Sequence, residues 1–288
     1  MCEKPIFKKV IDFEEAKQLL EQIRQDRGYP SGYRDLDKLC GGLVKDGVTL
    51  IAGRPAMGTT SLALNIANRI SQQQEGTILV FSPKLWSDEI TMRLLSIGSG
   101  LMPDNFLNSR LPLDVFAPKL LDYYVAKKSS IEINMDTILS LDCIWDHCYN
   151  IPDLQFVVID TVSAICKPID FSTEPDSWDK KELPDVVFRF LQKMARDLKV
   201  PVLCTTQLHR SLERRKNKRP RLGDLKKIGV DPEWVDQIIF LYRDQYYYAD
   251  GKAGAEWIVA KAPQGDLGTV RLDWDYPTRR FTERKVDV

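Results

Sequence analysis

A glycine-containing loop between a strand-like and a helix-like segment constrains the fold of this chain more than any other feature. Residues 53–60 read GRPAMGTT. They match the phosphate-binding pattern G-x-x-x-x-G-K-[ST] at both glycines and at the final hydroxyl, which is Thr60. Thr59 stands where that pattern has the lysine that reaches the β- and γ-phosphates. The loop therefore predicts a nucleotide cradle that lacks its usual charge.

The residues on either side of the loop support this interpretation. Residues 48–52 are apolar and rich in β-branched side chains, as in a buried strand, and apolar residues recur at helical spacing over residues 62–70. A strand, a glycine loop and a helix in that order aim backbone N–H groups at an anion. An ordinary strand-to-helix turn is the alternative. The residues expected to contact nucleotide are Gly53, Arg54, Pro55, Ala56, Met57, Gly58, Thr59, Thr60 and Ser61.

A second motif predicts a metal-binding carboxylate. Residues 156–160 read FVVID, which is an apolar run that ends in an aspartate, as at the carboxyl end of a buried parallel strand. Asp160 would hold Mg²⁺, directly or through water, and Thr60 would supply a hydroxyl ligand. A strand-capping aspartate is the alternative. Because parallel sheets present such strand ends to their ligands, this motif and the glycine loop support each other.

The composition suits one large domain with a sizeable core, since 43% of the 288 residues are hydrophobic. Lys and Arg together number 41, as do Asp and Glu, so any binding to nucleic acid must use a local patch. The sequence shows neither a signal peptide nor a membrane-length apolar run. We therefore expect a cytoplasmic protein without membrane contact.

The six cysteines are scattered along the chain and form no C-x-x-C pair. Cys143 and Cys148 have His147 nearby, which permits a metal site. Buried reduced thiols in a cytosolic protein are the favoured alternative.

Strand-like and helix-like segments alternate along the chain, which favours a mainly parallel sheet covered on both faces. After the loop and its helix, strands are expected at residues 77–82, 130–133, 156–160, 200–206, 238–242, 257–260 and 269–274. Helices are expected at residues 88–97, 115–127, 138–148 and 183–198. We expect residues 1–27 to form a linker-like segment with an amphipathic helix at 13–23, followed by one domain over residues 28–288. A polar, proline-interrupted stretch at 168–181 predicts a mobile loop.

The order of these motifs resembles the C-terminal motor domain of hexameric replicative DNA helicases of the DnaB type. The segments that carry the resemblance are residues 31–37 (SGYRDLD), 41–43 (GGL), 54–58 (RPAMG), 63–67 (ALNIA), 207–213 (QLHRSLE), 218–220 (KRP), 224–226 (DLK), 240–244 (FLYRD) and 265–271 (GDLGTVR). The resemblance implies an α/β, RecA-like P-loop fold. In it, a mainly parallel twisted sheet has helices on both faces and a C-terminal antiparallel extension. It also implies ATP and Mg²⁺ as ligands, single-stranded DNA as a partner, and assembly into a homo-oligomer or a helicase ring.

The resemblance also assigns roles to catalytic positions, and several of these are substituted. Gln207 matches the glutamine that senses the γ-phosphate. Lys84 stands where the family has the glutamate that orients the attacking water. Lys261 matches the lysine of a lysine–x–arginine pair and is expected to contact nucleotide. Pro263 replaces the arginine of that pair, which would enter a neighbour's nucleotide site. With Thr59 also lacking the loop charge, ATP binding would be weakened and hydrolysis impaired. Lys84 either reaches into the vacated lysine pocket or is a solvated loop lysine.

A basic run follows Gln207 and is the candidate DNA-binding segment. Its members predicted to contact DNA are Arg210, Arg214, Arg215, Lys218 and Arg219. A loop that tracks phosphates in the central channel of a ring is one interpretation, and a solvated basic loop is the other. The run has no aromatic residue for base stacking, so binding would be independent of base sequence and sensitive to salt.

Three functions agree with these observations. The first is an ATP-driven helicase motor. The second is a catalytically inactive relative that binds nucleotide or single-stranded DNA, or regulates a helicase ring. The third is a RecA-like ATPase that works on protein partners. The substitutions at Thr59, Lys84 and Pro263 favour impaired catalysis.

Overall fold

The computed structural model describes residues 28–107, 112–136, 139–165, 183–248, 250–263 and 265–284, together with Lys17. The helix predicted over residues 13–23 therefore lies outside the described residues, apart from Lys17, which is helical. The loop predicted over residues 168–181 lies outside them entirely.

Within the described part, nine strands form a single sheet with the spatial order β3-β2-β4-β5-β1-β6-β7-β8-β9. The six strands from β3 to β6 in this order pair in parallel, and β7, β8 and β9 continue the sheet in antiparallel pairing. The strands are β1 (Val48–Gly53), β2 (Gly76–Phe81), β3 (Ser129–Asn134), β4 (Leu154–Ile159), β5 (Val202–Gln207), β6 (Gln237–Tyr242), β7 (Ala255–Lys261), β8 (Gly268–Asp275) and β9 (Arg280–Glu283). The predicted parallel sheet with an antiparallel extension is confirmed.

Helices lie along the connections between the strands. They are α1 (Arg34–Cys40), α2 (Thr59–Gln73), α3 (Ser87–Ser99), α4 (Pro103–Leu107), α5 (Leu113–Val125), α6 (Leu141–Tyr149), α7 (Leu183–Leu198) and α8 (Leu222–Lys226). The bounds of α7 are those that the sequence predicts. Its buried apolar residues fall on one face of the helix, at positions 187, 188, 191, 194 and 195.

Two hydrophobic cores cover the two faces of the sheet. One contains α2 and α3 and alternate residues of the parallel strands, such as Ile51 and Val158. The other contains α6 and α7 and the intervening strand residues, such as Leu50 and Val157. Because successive side chains of a strand point to opposite faces, strands that are buried on both sides read as continuous apolar runs. This explains why the parallel strands are recognisable in the sequence.

Several element bounds differ from the sequence expectations for local reasons. The helix predicted from residue 138 begins at Leu141, because the Ser140 hydroxyl accepts a hydrogen bond from Cys143 N at 3.1 Å and caps it. The helices α1, α4 and α8 and the strand β9 are not among the predicted elements. Strand β9 forms because Phe281 packs onto Trp274, with ring centroids 4.3 Å apart, and this contact is not visible in a four-residue segment.

No helix in the described part of the chain is both long enough and apolar enough to cross a bilayer.

Candidate nucleotide-binding site

The loop, Asp160 and Gln207 meet at the carboxyl ends of three adjacent strands, β1, β4 and β5. The loop over residues 53–60 leaves β1, Asp160 follows β4, and Gln207 ends β5. Gly53 is the direct register partner of Gln207 across β1 and β5. The sheet order therefore brings together two motifs that the chain separates by 100 residues, measured from Thr60 to Asp160.

The loop has the backbone of an anion cradle. Ala56 and Gly58 adopt left-handed conformations, with φ of 66° and 100°, and Gly58 precedes the first turn of α2. Among the described residues no side chain caps this helix end, and its first turn carries no acidic residue. The backbone N–H groups that begin α2 are therefore available to an anion, and the helix dipole favours one there. This arrangement fits a phosphate group.

Thr59 packs back against the end of β1. A Cβ atom at Gly53 would lie 3.0 Å from the Thr59 methyl carbon and 3.3 Å from the carbonyl oxygen of Leu241. These contacts are tighter than ordinary packing, so the glycine lets the loop turn close to the strand.

The arginine of the loop braces it instead of facing the cradle. Arg54 donates from Nε to Glu213 Oε1 at 2.8 Å and from Nη1 to the carbonyl oxygen of Leu208 at 2.7 Å. On the other side, Arg243 donates from Nη1 to the carbonyl oxygen of Ala56 at 3.1 Å. Two arginine side chains therefore hold the loop in shape through hydrogen bonds.

The hydroxyl and carboxylate predicted to hold Mg²⁺ are in direct contact. Thr60 Oγ1 donates to both carboxylate oxygens of Asp160 at 2.9 Å, and Thr205 Oγ1 donates to Oδ1 at 2.6 Å. Asp160 is only 6% exposed. Burial raises the pKa of this carboxyl group, whereas the two hydroxyl hydrogen bonds and the charges of Arg93 and Lys84 act in the opposite direction. An oxygen-only pair at the end of a buried strand suits a hard divalent cation such as Mg²⁺.

Lys84 lies at the edge of this site, in the connection that follows β2. Its Nζ donates to the Ser163 hydroxyl at 3.2 Å, three residues after Asp160, and the side chain is exposed. Arg93 of α3, which pairs with Glu89 at 2.5 Å, adds a second cation whose charge reaches Asp160. The structure therefore places positive charge near the position where the resemblance predicts a catalytic carboxylate.

Gln207 is exposed and borders a cavity of about 260 Å³. The cavity lies between the turn Val162–Ala164 and α7, and most of its lining is apolar. Gln207, Thr206 and Ser163 are the polar residues on its wall.

Lys261 and Pro263 lie away from the loop of the same chain. Lys261 is the register partner of Ile238 near the start of β6, at the amino-terminal edge of the parallel strands. Its Nζ donates to the carbonyl oxygen of Pro232 at 2.7 Å. Pro263 is exposed beyond it. Within one chain, these two residues are not brought together with the loop, which lies at the opposite edge of the sheet.

The basic run divides into arginines bound to acidic residues and exposed arginines. Arg215 pairs with Asp224, which is almost fully buried, at 2.8 Å. Arg219 donates two hydrogen bonds to Glu256, at 2.6 and 2.9 Å, and these raise the pKa of its guanidinium group. Arg210 and Arg214 are exposed.

Lys218 belongs to neither group of arginines, because it packs against the rings of Tyr247 and Tyr248. Its Nζ donates to the hydroxyl of Tyr248 at 3.1 Å and lies 5.0 Å from that ring centroid. The neighbouring Tyr247 stacks on Tyr242 with centroids 5.9 Å apart. These tyrosines form a packing cluster beside the basic run.

Sequence reasoning missed four residues that shape the site: Thr205, Glu213, Arg243 and Arg93. Thr205 had a detectable signal, because two threonines and a glutamine end an otherwise apolar strand at residues 205–207. Glu213 and Arg243 stand in segments that carry the family resemblance, but the contacts that give them a role join segments far apart in the chain. Arg93 had no signal in the sequence, because its effect on Asp160 comes from a separate helix.

Comparison with known proteins places this geometry in a family. The model of the DnaB-like helicase C-terminal domain matches residues 28–283. The replicative DNA helicase DnaB of Geobacillus stearothermophilus is 28% identical over 267 residues. This alignment covers 90% of the present chain and 58% of the relative, so the chain spans less than two thirds of that protein.

Two solved structures share the fold with a TM-score of 0.82 each. One is a DnaB-like replicative helicase described with its interactions with primase. It is 27% identical, and the alignment covers 96% of this chain and 68% of that one. The other is described as an ATPase domain. It is 28% identical, with 94% of this chain and 98% of that one aligned.

Proposed function

Because this chain belongs to the DnaB-like helicase C-terminal domain family, we propose that it is a nucleotide-binding domain that holds ATP with Mg²⁺ and hydrolyses it poorly. Its fold is that of a replicative helicase ATPase domain.

One observation carries this proposal above the others. The Thr60 hydroxyl meets both carboxylate oxygens of Asp160 at 2.9 Å beneath an uncapped helix end. Oxygen ligands placed together beside an anion-binding loop are what a Mg²⁺ ion on a bound triphosphate requires. Thr60 and Asp160 would hold the ion, and the first N–H groups of α2 would bind phosphate oxygens. Bound Mg²⁺ would neutralise phosphate charge.

The loss of three charged groups supports poor hydrolysis. A hydrogen bond to a charged group contributes about 1.5–3 kcal/mol, so Thr59 in place of lysine weakens ATP binding by roughly ten- to a hundredfold. An arginine supplied by a neighbour is worth about 10³–10⁵ in rate, and Pro263 cannot replace it. Lys84 has no carboxylate with which to orient the attacking water. Its position beside Ser163 suits a cation that helps retain a phosphate.

The exposed arginines support a contact with single-stranded DNA. Arg210 and Arg214 stand three and seven residues after Gln207, on the turn that follows β5, so a backbone phosphate bound there would lie near the nucleotide site. Two exposed guanidinium groups give weak, salt-sensitive binding without base recognition. Assembly with further copies, or with a catalytically active helicase, is part of the same proposal, because residues 261 and 263 face away from their own loop.

A catalytically inactive partner within a helicase ring is the second candidate function. The observation that favours it is the combination of Lys84 and Pro263. Lys84 alters the chain's own site, whereas Pro263 removes the arginine that this chain would supply to a neighbour's site. Such a subunit would bind nucleotide and DNA but interrupt hydrolysis at one interface of the ring.

Calorimetric titration of the purified full chain with ATP, with Mg²⁺ and with EDTA, tests the binding half. We expect ATP binding that depends on Mg²⁺ and that Asp160→Asn weakens by at least about tenfold, since the neutral amide no longer offers a negative charge to the ion. Asp142→Asn changes an exposed acid on α6 and should leave binding unchanged. Failure to bind ATP at millimolar concentration would rule out a retained nucleotide site.

Phosphate release in the presence of single-stranded DNA tests the catalytic half. We expect the same background rate for the wild type and for Asp160→Asn. A brisk rate in the wild type that Asp160→Asn abolishes would show that the chain is an active ATPase, and the proposed impairment would be wrong.

A further inference from the structure

A cluster of three different metal-ligating side chains lies outside the nucleotide site. Asp136 follows β3, while Cys143 and His147 belong to α6. One ligand atom from each residue lies within 4.8 Å of the other two. Asp136 and His147 are exposed and Cys143 is partly exposed, so an ion in solution can reach them. The sequence indicates Cys148 as the companion of Cys143, but Cys148 is buried, and burial raises the pKa of its thiol to about 12.

Helix geometry accounts for one edge of the cluster. Cys143 and His147 are four residues apart, so their side chains project from the same face of α6. The sulfur of Cys143 lies 3.5 Å from Asp136 Oδ2. It also lies 3.5 Å from His147 Nδ1, the ring nitrogen that does not face the carboxylate. His147 Nε2 lies 3.9 Å from the same carboxylate oxygen. Ligand atoms around a tetrahedral Zn²⁺ are about 3.4–3.6 Å apart, given the usual bond lengths to sulfur, nitrogen and oxygen. The two distances from the Asp136 oxygen are therefore close to those of a zinc site, and side-chain rotation can bring the sulfur and Nε2 to the same ion.

The imidazole of His147 already has the orientation of a metal ligand. Its Nδ1 lies 2.8 Å from the carbonyl oxygen of Cys143. A carbonyl only accepts hydrogen bonds, so Nδ1 carries the proton and Nε2 keeps a free lone pair. Metal-binding histidines commonly donate their other ring N–H in this way, which fixes the ring and its tautomer. The Phe81 ring, edge-on to the imidazole with centroids 6.1 Å apart, packs against it.

The side-chain amide of Asn134 marks the point toward which the lone pairs of His147 and Asp136 are directed. Asn134 Nδ2 lies 3.0 Å from His147 Nε2 and 3.0 Å from Asp136 Oδ2. Asn134 Oδ1 accepts from the backbone N–H of Asp136 at 3.0 Å, which fixes the amide orientation. A polarised N–H₂ group thus donates to the same two acceptors that would ligate a cation. A bound ion would replace this N–H₂ group as the partner of the two acceptors.

We propose that Asp136, Cys143 and His147 bind a zinc ion, with the fourth tetrahedral position open to water. A thiolate, an imidazole and a carboxylate form a ligand set that this borderline-soft ion accepts. Binding displaces the thiol proton of Cys143 to solvent, so that Zn²⁺ meets a thiolate. The ion joins the end of the edge strand β3 to α6 and stabilises the connection between them. It is separate from the Mg²⁺ position at Asp160, because β2 lies between β3 and β4 in the sheet.

Cobalt(II) titration of the purified full chain gives a direct readout, because a cobalt–thiolate bond produces a charge-transfer absorption. We expect one cobalt ion per chain, displaced by Zn²⁺. Cys143→Ser should abolish the charge-transfer band. His147→Gln and Asp136→Asn should each weaken affinity by at least about 10- to 100-fold, as the loss of a group that supports a metal does.

Matched controls exist for each ligand. His209→Gln removes the only other histidine of the sequence, Asp146→Asn removes an exposed acid beside His147, and Cys148→Ala removes a thiol from the same helix. All three should keep the band and the affinity. Thermal unfolding adds a second readout, since Zn²⁺ at about 100 times its dissociation constant should raise the Tm of the wild type by about 5 °C and leave that of Cys143→Ser unchanged.

Three results would overturn the proposal. They are the absence of a charge-transfer band at millimolar cobalt, a band that survives Cys143→Ser, and an affinity that His147→Gln leaves unchanged. Any of them would show that the cluster is a hydrogen-bonded surface group only.

Discussion

At the scale of single residues, the chemistry of this site turns on which charges accompany the loop. Thr59 leaves residues 53–60 without a lysine, and Arg54 is committed to Glu213 and to a backbone carbonyl. Positive charge instead reaches Asp160 from Lys84 and Arg93, which lie on other segments. The cradle shape and the charge of the cradle are therefore separable properties of this fold.

Restoring the missing charge is the sharpest test at this scale. We expect Thr59→Lys to tighten Mg²⁺–ATP binding by roughly ten- to a hundredfold, because an ammonium group adds a charged hydrogen bond to the phosphates. Calorimetric titration measures the change. Thr59→Met supplies similar length without charge and should not tighten binding. Equal effects of the two substitutions would show that side-chain volume, not charge, limits affinity.

At the scale of elements, the basic run after β5 illustrates how one segment serves two purposes. Arg215 and Arg219 are bound to the acidic side chains of Asp224 and Glu256 and hold α8 and β7 against the run. Arg210 and Arg214, on the turn that starts the run, are exposed. A charge count along the sequence treats all four alike, although only two are free to meet a phosphate backbone.

This division predicts opposite effects of two kinds of substitution. Arg210→Ala and Arg214→Ala should each lower the affinity for single-stranded DNA and reduce the salt slope of binding by about 0.7, with little change in Tm. Arg219→Ala should instead lower the free energy of unfolding by about 1–2 kcal/mol, because Glu256 loses two hydrogen bonds.

Fluorescence anisotropy at several salt concentrations and thermal unfolding measure the two effects. A DNA-binding loss in Arg219→Ala as large as that in Arg210→Ala, at unchanged Tm, would contradict the division.

At the scale of the whole molecule, the sheet places the nucleotide site at one edge and the residues proposed to contact a neighbouring copy at the other. The loop, Asp160 and Gln207 share the carboxyl edge of the parallel strands, whereas Lys261 and Pro263 lie at the other edge. If copies assemble with these two edges facing each other, position 263 of one copy approaches the nucleotide of the next.

Mixing two inactive variants tests that arrangement. One carries Thr59→Lys and Lys84→Glu, which repair its own site. The other carries Pro263→Arg, which supplies an arginine to a neighbouring copy, and Asp160→Asn, which disables its own site. We expect neither to release phosphate alone and their mixture to do so at least about tenfold faster, because an arginine supplied in trans is worth about 10³–10⁵ in rate. Sedimentation measures assembly in the same samples. A mixture that assembles but stays inactive would show that residue 263 does not reach a neighbour's site.

The amino-acid sequence by itself determined the local features of this protein. The glycine loop, the apolar strands around it, the full extent of α7 and the acid at residue 160 follow from spacing and periodicity, which depend on neighbouring residues only. The tertiary structure alone decided the partners: Thr205 on Asp160, Arg54 on Glu213, Glu256 on Arg219, and Asp136 beside Cys143 and His147. Strand order and register decide such contacts, because they bring together atoms from segments that no local pattern connects.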